Sequence, residues 1–173
     1  TVIARKANVP ADLLNRSDLD RIKIAEQFLN EKVIGQDHAV KTFVSAIRKF
    51  KTGLSNPNRP ISILLVGPTG TGKTYICKET AHILFDGRKD SFLRFDMTEF
   101  SAPHSVSTLL GSPPGYVDSD KGGKLTEHIY KNPYSMILFD EIEKANPLVI
   151  NVLLQLLDEG QISDAMGKTI NFR

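Results

Sequence analysis

No stretch constrains this chain more than the octapeptide Gly67-Pro-Thr-Gly-Thr-Gly-Lys-Thr74. It follows the apolar run Ile61 to Val66 and precedes a helical pattern, Tyr75 to Leu84. The spacing therefore predicts strand, tight loop and helix, the context in which a glycine-rich loop holds a phosphate. Glycines let successive backbone N–H groups, and the N-terminus of the next helix, point at phosphate oxygens. On this reading Gly67, Pro68, Thr69, Gly70, Thr71 and Gly72 form the cradle. Lys73 reaches the β- and γ-phosphates of a nucleotide, and the Thr74 hydroxyl holds Mg²⁺. The bland alternative is a glycine-rich turn with an accidental lysine. Glycine usage of about 7% makes a full match by chance in such a chain roughly a one-in-a-hundred event or rarer.

The 173 residues suffice for one α/β domain with its own core, and are short for a second folded unit beside it. An apolar share of 40% and a charged share of 24% exclude overall disorder. A net charge of +2 gives no ground for a nucleic-acid or membrane partner. Cys77 is the only cysteine, so the chain contains neither an intramolecular disulfide nor a cysteine-rich zinc site. With no apolar run near 18 residues and no signal peptide at the start, the chain as given reads as soluble.

In chain order, residues 1–16 read as a linker or tail, with Pro10 disfavouring a helix. Ser17-Asp-Leu-Asp20 fits a capping box ahead of a helix on which Leu19, Ile22, Phe28 and Leu29 recur. After Gly35, Asp37 caps a second helix with Val40, Phe43, Val44, Ile47 and Phe50 on one face. Strands are expected at Ile61–Val66, Ser91–Met97 and Ser135–Phe139, the last buried on both faces. Short helices are expected near Val106–Leu110 and over Leu125–Lys131, and a longer one from Pro147 to about Asp158, with Val149, Leu153, Leu154, Leu156 and Leu157 apolar. A hairpin around Gly167 closes the chain. Strands alternating with helices indicate a parallel α/β sheet.

The apolar run that ends in Asp140-Glu141 is the natural partner of the glycine-rich loop. Asp140, at the strand's carboxyl end, would bind Mg²⁺ beside Thr74, and Glu141 would orient and activate a water. Taken alone, such an acid pair is equally a solvated strand end. The loop Gly111 to Gly123 carries one large aromatic, Tyr116. It is either a packing residue or an exposed tip presented to a polypeptide, and its own residues leave both open. His38, His82, His104 and His128 lack metal-ligand spacing. Arg48-Lys49-Phe50-Lys51 reads as a solvated helix end.

With these residues in view, the chain resembles the Hsp100/Clp branch of the AAA+ ATPases, in particular the second nucleotide-binding domain of ClpB- and ClpC-like proteins. The likeness runs from about Val9 to Arg173 and rests on VIGQDHAV from Val33, GLSNPNRP from Gly53, GPTGTGKT from Gly67, FDMTEF from Phe95, HSVSTLLGSPPGYV from His104 and FDEIEKANP from Phe139. It implies a P-loop NTPase fold, a parallel sheet sandwiched by helices, with residues 17–173 as the large nucleotide-binding subdomain. It also implies ATP with Mg²⁺ as cofactors, and a homo-hexameric ring that threads unfolded or misfolded polypeptide through a central pore. Gly67–Thr74 and Asp140-Glu141 then take the Walker A and Walker B roles. Gly115, Tyr116 and Val117 grip substrate, the segment Ser163 to Lys168 resembles a second pore loop, and Val33-Ile34 resembles a segment lining the adenine pocket. A ClpP-like peptidase is among the partners the resemblance allows; nucleic acid and membrane are not. The cytoplasm, or a plastid or mitochondrial interior, is the expected compartment.

Two departures stand out. The usual GYVG ends here in Asp118, which puts a carboxylate next to the gripping aromatic and is expected to alter grip strength or substrate preference, whereas Asn146 stands where a histidine is common, with little consequence expected. The family pattern also continues past Arg173 into sensor 1, an arginine finger and a helical lid. A finger supplied by a neighbouring subunit accelerates P-loop NTPases by about 10³ to 10⁵, so the expectation for the chain as given is slow turnover and no stable hexamer. The competing classes are a nucleic-acid motor or clamp-loader-like ATPase and a nucleotide-binding fragment without turnover. The modest charge and the aromatic, non-basic loop argue against the nucleic-acid motor.

Overall fold

The computed structural model describes residues 18–112, 115 and 122–173. The expected tail, the Ser17 cap, and Tyr116, Val117 and Asp118 lie outside the described residues. The chain divides into two compact units, and it passes between them after Asn56, Pro60, Leu93, Pro133 and Leu138.

The first unit holds described residues 18–56, 61–93 and 134–138. Helix α1 (Asp18–Lys32) buries Ile22, Ala25 and Leu29, and α2 (Asp37–Lys51) buries Val40, Phe43, Val44 and Ile47. Both sets follow the three-and-four spacing that puts a stripe on one helix face. With Val33, and with Ile76 and Cys77 of α3 (Lys73–Leu84), they form one core, against which Ile63, Leu65, Phe92, Met136 and Leu138 pack. A fully buried aliphatic chain such as Leu29 contributes about 1.5–3 kcal/mol by leaving water. Leu19, expected on this face, is instead exposed. Its turn carries Arg21 inward, where Nη1 pairs with Asp86 at 2.5 Å. Asp37 is the first residue of α2, not its cap, which is Gln36 without a side-chain bond. Arg48 and Lys51 at the other end of α2 pair with Glu26 and Asp18 of α1, so two of the three cations at this end are paired within the unit.

The expected strand Ile61–Val66 takes no ladder position among the described residues. It keeps the alternation of an extended segment, with Ile63 and Leu65 against the core while Leu64 and Val66 are 77% and 84% exposed. Two strands do pair, β1 (Phe92–Asp96) and β2 (Met136–Asp140), in a parallel sheet. β2 is half-buried along its whole length, not sealed on both faces.

The second unit holds residues 57–60, 94–112, 115, 122–133 and 139–173. Helices α4 (Ser105–Leu110), α5 (Lys124–Lys131) and α6 (Pro147–Glu159) and the hairpin β3 (Gln161–Ser163) and β4 (Thr169–Asn171) surround buried Phe95, Phe100, Leu109, Leu125, Val149 and Ile162. Phe95 stacks on Phe139 at 5.6 Å and meets Phe100 edge-on at 5.7 Å. α6 starts with Asn146 as cap and Pro147 in its first turn, and it stops at Gly160 with φ 65°. Of its five expected apolar positions Val149, Leu153 and Leu156 are buried, whereas Leu154 and Leu157 are 54% and 37% exposed. A helix apolar on nearly all sides cannot bury every side against one unit. The hairpin is antiparallel, with Ile162 opposite Ile170.

Candidate nucleotide site

The glycine-rich loop ends at Gly72, whose φ of 89° is left-handed backbone that a side chain would strain. That turn aims the chain into α3, which begins at Lys73 and has no side-chain cap on its N-terminal amides. A helix start leaves such donors to be met by ligand or water, and its dipole favours an anion. Lys73 is folded back over the loop, with Nζ donating to the carbonyls of Gly67 and Pro68, both at 2.7 Å. Thr71 Oγ1 also donates to the Pro68 carbonyl, at 2.9 Å, which ties the loop into a closed turn. Pro68, Thr69 and Gly70 are exposed, and Thr74 is half-buried on the first turn of α3. The donor set therefore fits a polyphosphate: backbone amides at a helix start, with one ammonium already at the rim.

Val33 and Ile34 part company. Val33 is buried, and its Cγ1 lies 3.6 Å from where a Cβ on Gly72 would sit, which places Val33 directly beside the loop. Ile34 is 91% exposed, because the chain turns at Gly35, φ 77°, immediately after it.

In the second unit, the carboxyl end of β2 delivers Asp140 and then Glu141. Asp140 is ion-paired with Arg94 Nη2 at 2.8 Å. Arg94 on β1 belongs to no motif; its one sequence signal is Arg-x-Asp at the end of a strand, which places Arg94 and Asp96 on one face. Asp96 accepts from the N–H of Thr98 at 3.0 Å and from the Thr98 hydroxyl. Those two bonds hold the Asp96 carboxyl below the usual carboxylate range, the hydroxyl first, with a smaller effect from the Arg94 charge and against a small desolvation.

Glu141 is exposed and left-handed, φ 56° and ψ 43°, and it opens a 3-10 turn over Ile142–Lys144. An unfavourable backbone at an exposed carboxylate at a strand end is the kind of strain that collects at reactive sites. The strain is held in place by Asn146. Its backbone N–H donates to the Phe100 carbonyl at 2.9 Å, its Nδ2 donates to the Ser101 carbonyl at 3.2 Å, and its Oδ1 accepts from Leu148 N–H at 3.0 Å. Asn146, expected to matter little, thus fastens the segment after Glu141 to the turn after β1. Gly115 is exposed, and the loop around it is closed at its base by a bridge between Gly111 and Gly122.

Residues 58–173 match the sequence profile of the AAA domain (Cdc48 subfamily). Over 99% of its length the chain is 50% identical to the chaperone protein ClpB of Prochlorococcus marinus and 47% identical to both the mitochondrial chaperone protein ClpB4 of Arabidopsis thaliana and ClpB of Vibrio cholerae. It spans about one fifth of the length of these relatives, covering 20%, 18% and 20% of them. An uncapped helix start behind a lysine-bearing glycine loop, an acid pair at a strand end and these likenesses agree: the chain belongs to the AAA family, as a ClpB-like AAA+ domain with the P-loop NTPase fold.

Proposed function

We propose that this chain is the ATP-binding and hydrolysing module of a Clp/Hsp100 chaperone, corresponding to the second nucleotide-binding domain. A Clp/Hsp100 ATPase chaperone is what its family and its relatives' names support. The observation that carries the nucleotide reading is the start of α3, uncapped and preceded by Gly72, with the Lys73 ammonium 2.7 Å from two loop carbonyls. Bound ATP with Mg²⁺ would supply the phosphoanhydride to be cleaved and a divalent charge to stabilise its leaving oxygens. Thr74 and Asp140 would hold the metal.

The chain's own residues carry the remaining work. Lys73 exchanges its two carbonyl partners for phosphate oxygens and neutralises charge there. The first-turn amides of α3 bind and orient the phosphates. Glu141 takes the proton of the attacking water, so that hydroxide oxygen bonds to the γ-phosphorus and ADP leaves with the electron pair of the broken bond. Arg94, ion-paired with Asp140 at 2.8 Å, orients that carboxylate.

In the full-length protein, the product of this cycle is movement of a polypeptide through a homo-hexameric pore, with Gly115, Tyr116 and Val117 on the gripping loop. The test of the nucleotide reading is calorimetric titration of the chain with ATP and Mg²⁺, beside Lys73→Ala. Binding is expected in the parent and a loss of at least tenfold in affinity in the variant. Equal affinity in the two proteins, both folded by circular dichroism, would refute it.

A further inference from the structure

Helix α5 makes contact with two loops at once. On its N-terminal side it holds the base of the Gly111–Gly122 loop. Glu127 Oε1 accepts from the Gly122 N–H at 3.2 Å, and Thr126 Oγ1 donates to the carbonyls of Gly123 at 3.2 Å and Leu110 at 3.4 Å. The backbone is so close here that a Cβ on Gly123 would lie 2.2 Å from the Leu109 carbonyl oxygen. On the other side Lys168 Nζ sits 3.2 Å above the ring centroid of Tyr130, the next exposed position along α5.

Lys168 is presented rigidly. It ends the turn of the β3–β4 hairpin, in which Asp164 Oδ1 accepts from the N–H groups of Met166 at 3.0 Å and Lys168 at 2.8 Å, and the Asp164 N–H donates to the Lys168 carbonyl at 2.9 Å. The hairpin turn also reaches the loop base directly, since Ala165 Cβ lies 3.7 Å from a Cβ built on Gly111.

We propose that Tyr130 and Lys168 are positioning residues that lock the hairpin turn Asp164–Lys168 to the base of the Gly111–Gly122 loop through α5, so that the two loops move as one body. The inference rests on the reading of that loop as the one that grips polypeptide, and it adds the element with which the loop is coupled. Tyr130 is 65% exposed and forms no part of the core, so its ring is free to serve the hairpin turn and not the packing of the unit. A cation held over an aromatic face adds a modest attraction to the contact that the turn already makes with the loop base through Ala165.

Amide hydrogen exchange on this chain tests the coupling. Leucine is at least as good a helix former as tyrosine, so Tyr130→Leu removes the aromatic face without weakening α5. The variant is expected to raise exchange about two- to fivefold both at Gly167 and Lys168 and at Gly122, while Ile76 in the first unit stays unchanged. Tyr130→Phe, which keeps the ring, is expected to match the parent, and Lys168→Met to match Tyr130→Leu. Faster exchange at Gly167 and Lys168 with no change at Gly122, or no change at either, overturns the proposal. The gripping-loop reading is tested apart from it, by fluorescence anisotropy of labelled, reduced and carboxymethylated α-lactalbumin. Undiminished binding by Tyr116→Ala would end that reading and leave the exchange result standing.

Discussion

At Glu141 the backbone and the proposed chemistry pull in opposite directions, and the conflict has a size. With φ 56° and ψ 43°, this exposed residue occupies a left-handed conformation that costs a non-glycine residue about 1–2 kcal/mol. Glu141→Gly removes that strain. It also frees the unfolded chain, which offsets about 0.4–1 kcal/mol of the gain. The balance is a native state more stable by about 0.5–1 kcal/mol, from a substitution that deletes the carboxylate proposed to activate water. Urea unfolding with an m-value of about 2 kcal/mol/M should then show the midpoint rising by about 0.3–0.5 M at unchanged slope. Glu141→Val, β-branched and poorly tolerated in this region, should lower stability by more than about 1 kcal/mol. Both variants should bind ATP and neither should hydrolyse it, whereas Glu141→Gln should keep the parent's stability and lose only turnover. A drop of more than about 1 kcal/mol for Glu141→Gly would refute the reasoning, because the glutamate side chain would then be stabilising the fold.

Asn146→Ala removes the cap of α6 and the tie to the Ser101 carbonyl, and should destabilise by about 1–2 kcal/mol in chemical unfolding. Gly72→Ala places a Cβ at φ 89° beside Val33; calorimetry should show ATP binding weakened at least tenfold, since the turn that aims the α3 amides is strained. Glu127 titrates below the ordinary 4.5, held there first by its hydrogen bond from Lys131 and by that ammonium's charge, and to a smaller extent by the Gly122 N–H, against some desolvation. A depressed carboxylate contributes stability that is complete above its unfolded value and is lost as pH falls through its folded value. The protection of the Gly122 amide, its exchange set against the intrinsic rate at each pH, should therefore fall only below about pH 4.5, and Lys131→Met should move the carboxyl midpoint, followed by NMR, back towards 4.5.

What could be read from the residues is what local chemistry decides. The loop-to-helix step at Lys73, the acid pair at the end of β2, Pro147 opening α6 and Gly160 closing it are each fixed by neighbours within a few positions. The missed features depend on partners far along the chain. Ile61–Val66 has strand composition, but a ladder needs a second strand and composition cannot supply one. Leu19, Leu154 and Leu157 satisfy helical periodicity and still face outward, because periodicity gives a stripe and not the width of what covers it. Arg94 meets Asp140 across 46 positions and Asn146 meets Ser101 across 45, distances at which a single sequence carries no pairing signal.

The glycines at the base of the loop have a use beyond the natural protein. Gly111 and Gly122 pair as a bridge, and Gly123 packs against the carbonyl of Leu109 with no space for a methyl group. Two chain ends are thereby held at the spacing of neighbouring strands, about 5 Å, by contacts that do not involve the residues strung between them. That is the specification of a display scaffold. A foreign peptide whose ends can meet, whether an epitope, a protease site or a dye-bearing segment, could be joined to Gly111 and Gly122, with a loop-closure cost that grows by only about 0.6 kcal/mol for each doubling of its length.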